Sequence, residues 1–216
     1  MVISVEFLKL VLCENEKLKK PLLKMKVDSF KDIIRKAALN LFKEKGLNNV
    51  STRDLNTRLN ISRSHMYHYY GNWEELKLDA IKKMLGDDVN DYFIRKNEEK
   101  LKGAPEELLF FLDYLLPDAP SSHWILYLEI WPLSARDQRY ADLIHRNLMQ
   151  WNEIVENIIT RGTEAREFTS TNSTVAARQI AAVLDGYSSM IILDYSEEKR
   201  ALFLAEIFDF SLQLLK

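Results

Sequence analysis

The chain has 216 residues, of which 47% are hydrophobic and 29% are charged, and its formal net charge is −2. This composition is typical of one or two folded domains with hydrophobic cores. The single cysteine, Cys13, excludes an internal disulfide, and no apolar run is long enough to span a bilayer, so we expect a cytoplasmic protein. Glycine and proline are scarce and no Asn-Gly or Asp-Gly hairpin signal occurs, which predicts an all-α fold of about nine helices.

Residues 1–26 are predicted to form an N-terminal leader. The opening MVISVEFLKLVLCENE is apolar but has no basic n-region and no small-residue cleavage site, so we do not interpret it as a signal peptide. Two interpretations of its basic residues stay open: an arm that reaches a groove of nucleic acid, or a solvated segment without fixed structure, which we favour. The residues concerned are Lys17, Lys19, Lys20, Lys24 and Lys26.

Residues 29–45 are predicted to form the first amphipathic helix. Ser29 and Asp32 make a capping pair at its start, and Gly46 can adopt the left-handed conformation that ends a helix. The apolar residues recur at the spacing of one helical face. They are Phe30, Ile33, Ile34, Ala37, Ala38, Leu41 and Phe42.

Two shorter helices are predicted to follow. Ser51 and Asp54 match the S-x-x-D cap of a helix of about two turns. After that helix, Asn60 tolerates a left-handed turn, and Ser62 is a suitable N-cap for a helix over 63–70. Short capped helices joined by tight turns predict a helix-turn-helix.

The helix over 63–70 has an outward face of unusual composition. Met66 and Tyr70 lie one turn apart and are predicted to face the core. The other side chains then point outward and supply hydrogen-bond donors and planar groups without a negative charge, as a surface that binds phosphate and reads bases requires. They are Arg63, Ser64, His65, Tyr67, His68 and Tyr69.

The charge is divided unevenly along the chain. Residues 27–85 hold 11 lysine and arginine residues against 7 acidic ones, whereas residues 86–216 hold 13 against 22. A basic first part joined to an acidic remainder indicates an anionic partner for the first part only, and nucleic acid is the obvious candidate.

These segments resemble the TetR family of transcriptional regulators. The resemblance rests on IIRKAALNLFKEKGL (33–47), STRDL (51–55) and NISRSHMYHYYGNWEEL (60–76), together with the helix that follows. It implies a helix-turn-helix DNA-binding domain over residues 27–72, followed by a helical ligand-binding and dimerisation domain over residues 73–216.

Double-stranded DNA is the predicted partner of the first domain. Ser64 and His65 lie in the first turn of the reading helix and are expected to reach base edges, whereas the other polar residues are expected mainly to hold phosphates. The family usually has a phosphate-contacting lysine at the position of Trp73, which retains one indole N–H as a donor. The predicted DNA-binding residues are Thr52, Arg53, Arg63, Ser64, His65, Tyr67, His68, Tyr69 and Trp73.

Metal binding and catalysis are the competing interpretations of these residues. His65 and His68 have a spacing that can chelate a metal, but no third ligand lies nearby in the sequence, so we expect no metal. The chain has no Ser/His/Asp, Cys/His or H-E-x-x-H arrangement and no glycine-rich phosphate loop. His123 and His145 have no identifiable catalytic partner. We therefore expect no catalytic residues and no cofactor.

The second domain is predicted to consist of long helices. Pro132 is expected to end or kink one of them. The helix over 173–193 is apolar on nearly every face, which predicts burial on several sides at once. The predicted helices are one from Trp73 past Gly86 towards Lys100 and those over residues 102–117, 121–135, 137–164, 173–193 and 197–216.

A homodimer explains the apolar helix over 173–193. This helix and the last one are predicted to pair with their copies as a four-helix bundle, as the TetR resemblance also implies. The C-terminal half is loosely similar to the choline-responsive betaine-pathway repressors. The predicted dimerisation residues are Ala177, Ala181, Leu184, Ser188, Phe203, Ile207, Phe210 and Leu214.

The second domain is also expected to hold an unidentified small-molecule effector between its helices. Glu129 is either a carboxylate of this pocket or lies on the wet side of its helix. The candidate lining residues have an equally plausible role in ordinary core packing. They are Phe111, Tyr114, Trp124, Tyr127, Trp131, His145, Trp151 and Tyr187.

The sequence thus predicts a ligand-responsive transcriptional regulator, and specifically a repressor that binds a palindromic operator as a dimer. The alternative is a helical ligand-binding or adaptor protein that has lost sequence-specific DNA binding. No membrane partner is expected.

Overall fold

The computed structural model describes residues 16–169 and 172–216. The chain divides into two compact units, the first ending at Ala80 and the second running from Ile81 to Lys216. All regular structure in the described ranges is α-helical, as predicted. The nine helices are α1 (Glu16–Lys45), α2 (Thr52–Leu59), α3 (Arg63–Tyr69), α4 (Trp73–Glu98), α5 (Ala104–Leu115), α6 (Ser122–Ser134), α7 (Gln138–Glu164), α8 (Ser173–Leu193) and α9 (Glu197–Leu214).

Helix α1 begins well before the predicted start near Ser29. Its first residue is Glu16, so residues 16–26 of the predicted leader belong to this helix. Residues 1–15 of that leader lie outside the described part of the chain.

The first unit contains the predicted turns and caps. Ser51 and Asp54 form a complete capping box at the start of α2. Asn60 adopts the left-handed conformation with φ 51° and ψ 47°, which turns the chain between α2 and α3, and Gly46 has φ 85° at the end of α1. The Ser62 hydroxyl accepts a hydrogen bond of 3.1 Å from the His65 backbone N–H. These local signals confirm the predicted helix-turn-helix.

Buried side chains and one polar network hold the first unit together. The Tyr70 hydroxyl donates to Asp79 at 2.7 Å, and the Arg35 Nε lies 3.0 Å from the same carboxylate. These bonds join α1 and the end of α3 to α4. The buried core consists of Ile34, Ala38, Leu41, Phe42, Leu47, Val50, Leu55, Met66, Tyr70, Leu76 and Ala80.

The core of the second unit forms where α5, α7, α8 and α9 pack together. Pro132 lies inside α6, which continues to Ser134 rather than ending at the proline. No helix among the described residues is long and apolar enough to cross a membrane. The main buried residues of this core are Tyr92, Leu108, Phe111, Leu112, Val155, Ile158, Ile159, Ala177, Ile180, Leu184, Phe203 and Ile207.

Candidate functional site

Helices α2 and α3 carry eight of the nine predicted DNA-binding residues, and Trp73 is the first residue of α4. Thr52, Tyr67, Tyr69 and Trp73 are half-buried. The side chains of α3, RSHMYHY, include no carboxylate, and only Met66 is buried. The exposed predicted residues are Arg53, Arg63, Ser64, His65 and His68.

The basic residues near this surface differ in how far they are neutralised. Arg58 pairs with Glu44 at 2.6 Å, and Lys45 pairs with Asp54 at 2.6 Å. Arg53 and Arg63 make no ion pair within the described residues, and the Arg63 guanidinium lies 5.5 Å from the Tyr67 ring centroid. Arg53 and Arg63 are therefore the cations of α2 and α3 that remain available to phosphate.

Three aromatic rings meet at the start of α3. The imidazole of His65 stacks on the phenyl ring of Phe30 from α1, with centroids 5.0 Å apart and an interplanar angle of 8°. The Tyr69 ring lies 5.1 Å from Phe30 and 5.7 Å from His65. His68 contacts the other side of Tyr69, with centroids 5.3 Å apart. The outward face of α3 is thus partly occupied by ring packing.

Trp73 occupies a position between surface and core. Its indole packs edge-on against Phe42, with ring centroids 5.9 Å apart. The half-buried ring therefore supports the first unit as well as reaching its surface.

A cavity of about 1060 Å³ lies within the second unit. Six of the eight predicted lining residues are in its wall. Trp124, Tyr127 and Trp131 form a ladder along α6, with successive centroids 6.0 and 6.3 Å apart. Phe111, Tyr114 and Trp151 complete this aromatic set.

Two predicted lining residues are not brought to the cavity. His145 is exposed on α7. Tyr187 packs against Phe203, with centroids 4.6 Å apart, and its hydroxyl donates to Glu206 at 2.9 Å. Glu129, the other residue considered for this role, is half-buried outside the cavity wall.

The cavity wall is strongly acidic, with six carboxylates against two guanidinium groups. Three of the carboxylates have a basic neighbour, since Asp88 lies 3.1 Å from His123, Asp91 2.8 Å from Arg95, and Asp113 2.9 Å from Arg200. The other three are Asp118, Asp185 and Glu197.

Asp185 is the carboxylate most closely associated with the aromatic ladder. It makes no ion pair within the described residues, and although the residue as a whole is exposed, desolvation of its carboxyl group on the cavity side raises the pKa of that group to about 6. Burial raises the pKa of the Tyr127 hydroxyl above its usual range, and the nearby Asp185 carboxylate adds to this rise. A carboxylate beside aromatic rings, short of compensating charge, favours a cation.

Two asparagines of α7 add neutral polar groups to the cavity wall. Asn147 is buried, and its Nδ2 has no hydrogen-bond partner among the described residues. The Oδ1 of Asn152 is also buried and has no hydrogen-bond partner among the described residues. Buried polar atoms without partners are rare in native proteins and are readily satisfied by a bound polar ligand.

The predicted dimerisation residues lie mostly inside the protomer. Ala177, Leu184, Phe203 and Ile207 are buried in its core, because one face of each helix already packs within the chain. Ala181 and Ser188 line the cavity, Leu214 is half-buried, and Phe210 is exposed. The remaining large apolar residues exposed on α8 and α9 were not predicted, namely Val175, Met190, Leu193 and Leu202.

Comparison with known families agrees with both units. The family model described as bacterial regulatory proteins of the tetR family matches residues 34–80. A second model, described as the C-terminal region of BetI-type transcriptional repressors, matches residues 104–207. The chain belongs to the TetR family. Members of the TetR family are DNA-binding transcriptional regulators rather than enzymes.

Solved structures share this TetR fold at low sequence identity. A TetR transcription regulator from Haloarcula marismortui is 15% identical, with a TM-score of 0.77 over 88% of this chain and 100% of that one. A transcriptional regulator from Saccharomonospora viridis, solved in complex with choline, is 17% identical, with a TM-score of 0.73 over 85% of this chain and 95% of that one. GusR from Salmonella enterica is 18% identical, with a TM-score of 0.64 over 86% and 94%. Comparison with curated proteins found no match.

Several residues at the α3 surface and in the cavity of the second unit were not predicted as site residues from the sequence. Phe30 was assigned to the core stripe of α1, but half of it is exposed where it meets His65. Asp185 could have been recognised as the single charged residue within the apolar run AAVLDGYSSMIIL. Asp88 and Asn147 carry no comparable signal, since their amphipathic helices have many other polar residues.

Proposed function

We propose that this protein is a transcriptional repressor that binds a palindromic operator as a homodimer and is released by a cationic small molecule. The observation that carries this proposal is the outward face of α3, which exposes donors and planar groups without a carboxylate. We expect the protein to act in the cytoplasm, where its operator would be.

The DNA contacts divide into two groups. Ser64 and His65 are exposed in the first turn of α3 and are suited to base edges. Arg53 and Arg63, the cations without ion-pair partners in the described chain, are suited to phosphates. Thr52, Tyr67, His68, Tyr69 and Trp73 have donors that would fix the register of the helix on the duplex.

Dimerisation is supported by the apolar side chains that α8 and α9 expose to solvent in the protomer. Leu193 is 84% exposed, and Met190 and Leu202 are more than half exposed. Apolar side chains on two adjacent helices form a surface that a second copy would cover. Within this proposal the exposed residue Phe210 contacts the second copy, as predicted. The buried residues Ala177 and Ile207 lie in the core of the protomer and support the helices that carry the interface.

The effector class is supported by the charge of the cavity. Asp185 and the ladder of Trp124, Tyr127 and Trp131 offer a counter-ion and three aromatic faces to a cationic group. The structural neighbour from Saccharomonospora viridis was solved with choline, which is a cation. The amides of Asn147 and Asn152 add hydrogen-bonding groups for a polar function elsewhere on the same molecule.

Binding-site selection from random duplex DNA, using the full chain, tests the DNA-binding part of the proposal. We expect a palindromic sequence whose affinity falls steeply with salt. His65→Ala should relax the preference at one or two base positions by roughly 1–3 kcal/mol each. Arg63→Ala should weaken binding to all sequences alike and reduce the salt slope by about one unit.

The alternative function makes the opposite prediction for the same experiment. A ligand-binding or adaptor protein that has lost sequence-specific DNA binding would enrich no sequence. Its binding to DNA at low salt would also be unchanged by His65→Ala. Either result would remove the repressor proposal.

A further inference from the structure

We propose that Phe30 of α1 is a positioning residue for base recognition, which holds the His65 imidazole in one orientation so that its edge, rather than its face, meets the DNA. This inference rests on the proposed DNA-binding function. It goes beyond that function by assigning a specificity role to a residue of α1, outside the two helices that carry the predicted base and phosphate contacts.

The geometry fixes His65 from two sides. One face of its imidazole is covered by the phenyl ring of Phe30, nearly parallel at 8° and with centroids 5.0 Å apart. Tyr69, one turn further along α3, approaches the imidazole at 5.7 Å with a tilt of 39°. Because Phe30 also contacts Tyr69 at 5.1 Å, the three rings form one closed cluster.

The backbone of His65 is fixed as well. Its N–H donates to the Ser62 hydroxyl at 3.1 Å, which places it at the capped start of α3. Next to Phe30, the Lys31 ammonium lies 4.7 Å from the centroid of the Tyr70 ring. Two consecutive residues of α1 therefore contact α3, and the imidazole is held against a helix rather than against a mobile loop.

This arrangement leaves the useful part of the imidazole free. His65 remains exposed although one face is stacked, and parallel stacking covers a face of the imidazole rather than the edge that carries its two nitrogens. Hydrogen bonds to base edges lie in the plane of the imidazole. A ring already held in that plane loses less rotational freedom on binding than a free one, and it addresses one base position rather than several.

A second observation separates this role from ordinary core packing. Phe30 is only half-buried, and its two aromatic neighbours, His65 and Tyr69, belong to the surface of α3 rather than to the core. The core of this unit is built from other residues of α1, including Ile34, Ala38 and Phe42, which are fully buried.

The experiment is binding-site selection with the full chain, read position by position, for the wild type, Phe30→Leu, Phe30→Tyr, His65→Ala and the Phe30→Leu/His65→Ala double variant. Leucine keeps an apolar side chain but removes the flat face, whereas tyrosine keeps that face. Ile33→Ala is the matched control, because Ile33 is an exposed apolar residue on the same helix. Thermal unfolding and the salt slope are measured on every variant.

We expect Phe30→Leu to reduce the preference at the base positions that His65→Ala also affects, by roughly three- to tenfold. The salt slope should stay unchanged, because no phosphate contact is lost. Phe30→Tyr should retain the base preference of the wild type. In the double variant, Phe30→Leu should cause no further loss of preference beyond that of His65→Ala alone. Ile33→Ala should leave the selected sequence intact.

Other outcomes overturn the inference. If Phe30→Leu weakens binding to all sequences equally, or adds to His65→Ala independently, Phe30 only stabilises the fold. If His65→Ala changes the base preference and Phe30→Leu does not, this inference fails while the proposed function stands. If the wild type selects no sequence, both fail together.

Discussion

At the scale of single residues, Asp185 has the environment of a binding group rather than a structural one. It borders the cavity beside the Trp124–Tyr127–Trp131 ladder, and within the described chain no cation neutralises it. A carboxyl group whose pKa is raised by desolvation is destabilised in its charged form. A bound cation would reverse that, so the affinity for the cation and the ionisation of Asp185 should be linked.

Under the proposed function, the affinity of the cavity for choline, used as a cationic probe, should therefore depend on pH through Asp185. With a pKa of about 6, the carboxylate is mostly ionised at pH 7.5 and mostly protonated at pH 5. A cation prefers the ionised form, so its affinity should fall as the pH is lowered through 6, by up to about tenfold per unit below the pKa. Isothermal calorimetry with choline at the two pH values measures this directly.

Asp185→Asn provides the control for this pH dependence. It should bind choline more weakly at pH 7.5 and lose most of the response to acid. His123, which faces Asp88 in the same cavity, is unchanged between the two proteins, so its effect cancels in the comparison. An equal affinity of the wild type for choline and for its uncharged carbon analogue, 3,3-dimethylbutan-1-ol, would show that the cavity does not recognise charge.

Trp73 allows a prediction about phosphate contacts. At the position where the TetR resemblance implies a lysine, this chain has an indole that packs on Phe42. Trp73→Lys should place a cation near the DNA backbone and steepen the dependence of binding on salt by about one unit. Trp73→Met removes the ring without adding charge and is the control. Equal salt slopes for both variants, measured by fluorescence anisotropy, would mean that position 73 does not approach phosphate.

At the scale of helices, two glycines provide a matched test of packing. A Cβ at Gly162 of α7 would lie 2.3 Å from Phe168 and 2.7 Å from the Ala104 Cβ, whereas a Cβ at Gly86 of α4 would meet nothing within 4 Å. Gly162→Ala should therefore destabilise the protein by roughly 1–3 kcal/mol. Gly86→Ala should stabilise it by roughly 0.5–1 kcal/mol, because alanine favours the helix.

Urea denaturation of the two glycine variants decides this prediction. Because both changes add one methyl group inside a helix, the difference in sign depends on the neighbours alone. A Gly162→Ala protein as stable as the wild type would mean that α7, Ala104 and Phe168 can separate without a penalty.

Helix boundaries were predictable where the signal was local. The Ser51–Asp54 capping box, the left-handed Asn60 and the Ser62 cap depend on residues within a few positions, and all three were recognised from the sequence. The start of α1 was not, because the Ser29–Asp32 pair predicted a start near residue 29, whereas the helix begins at Glu16. The helix predicted over 121–135 is present as Ser122–Ser134, and of the two effects expected of Pro132, ending the helix at that residue does not occur.

The sites were less predictable than the helices because they depend on how helices face one another. Six aromatic residues of the cavity, on α5, α6 and α7, were among the candidates chosen from the sequence. The partnership of Phe30 with His65, and the grouping of acidic residues around the cavity, bring together residues from separate helices. The spacing of residues along the sequence does not predict such contacts between separate helices.

At the scale of the whole molecule, the question is which faces of α8 and α9 remain for a second copy. The apolar sequence of α8 predicts burial on several sides, and within the protomer one of its faces is buried. It did not indicate which apolar residues the protomer buries itself. Ile180 and Ile207 are fully buried within one chain, whereas Leu193 and Leu202 are exposed. We expect the dimer to form on the surface that contains the exposed residues Leu193 and Leu202. The small residues Ala182 and Gly186 of α8 are also exposed and belong to this expected surface.

Gly186→Glu should dissociate the dimer without unfolding the protomer. A Cβ at Gly186 would meet nothing within 4 Å in the protomer, and glutamate favours a helix more than glycine does, so the fold should tolerate the change. Between two copies the same carboxylate would be stripped of water with no cation to pair it, at a cost of several kcal/mol. Gly86→Glu, an identical substitution at another open helical position, is the control and should remain dimeric.

Sedimentation and DNA binding together test this arrangement. The wild type should sediment as a dimer and prefer a palindrome whose half-sites lie about one helical turn, roughly 34–36 Å, or a multiple of it, apart. Gly186→Glu should sediment as a monomer and bind the full palindrome no more tightly than one half-site, because the two reading helices are no longer linked. If the Gly186→Glu protein is still a dimer and still prefers the palindrome, the dimer interface does not include this face of α8. The charge at Gly186, an open position of the helix, would then remain in contact with water.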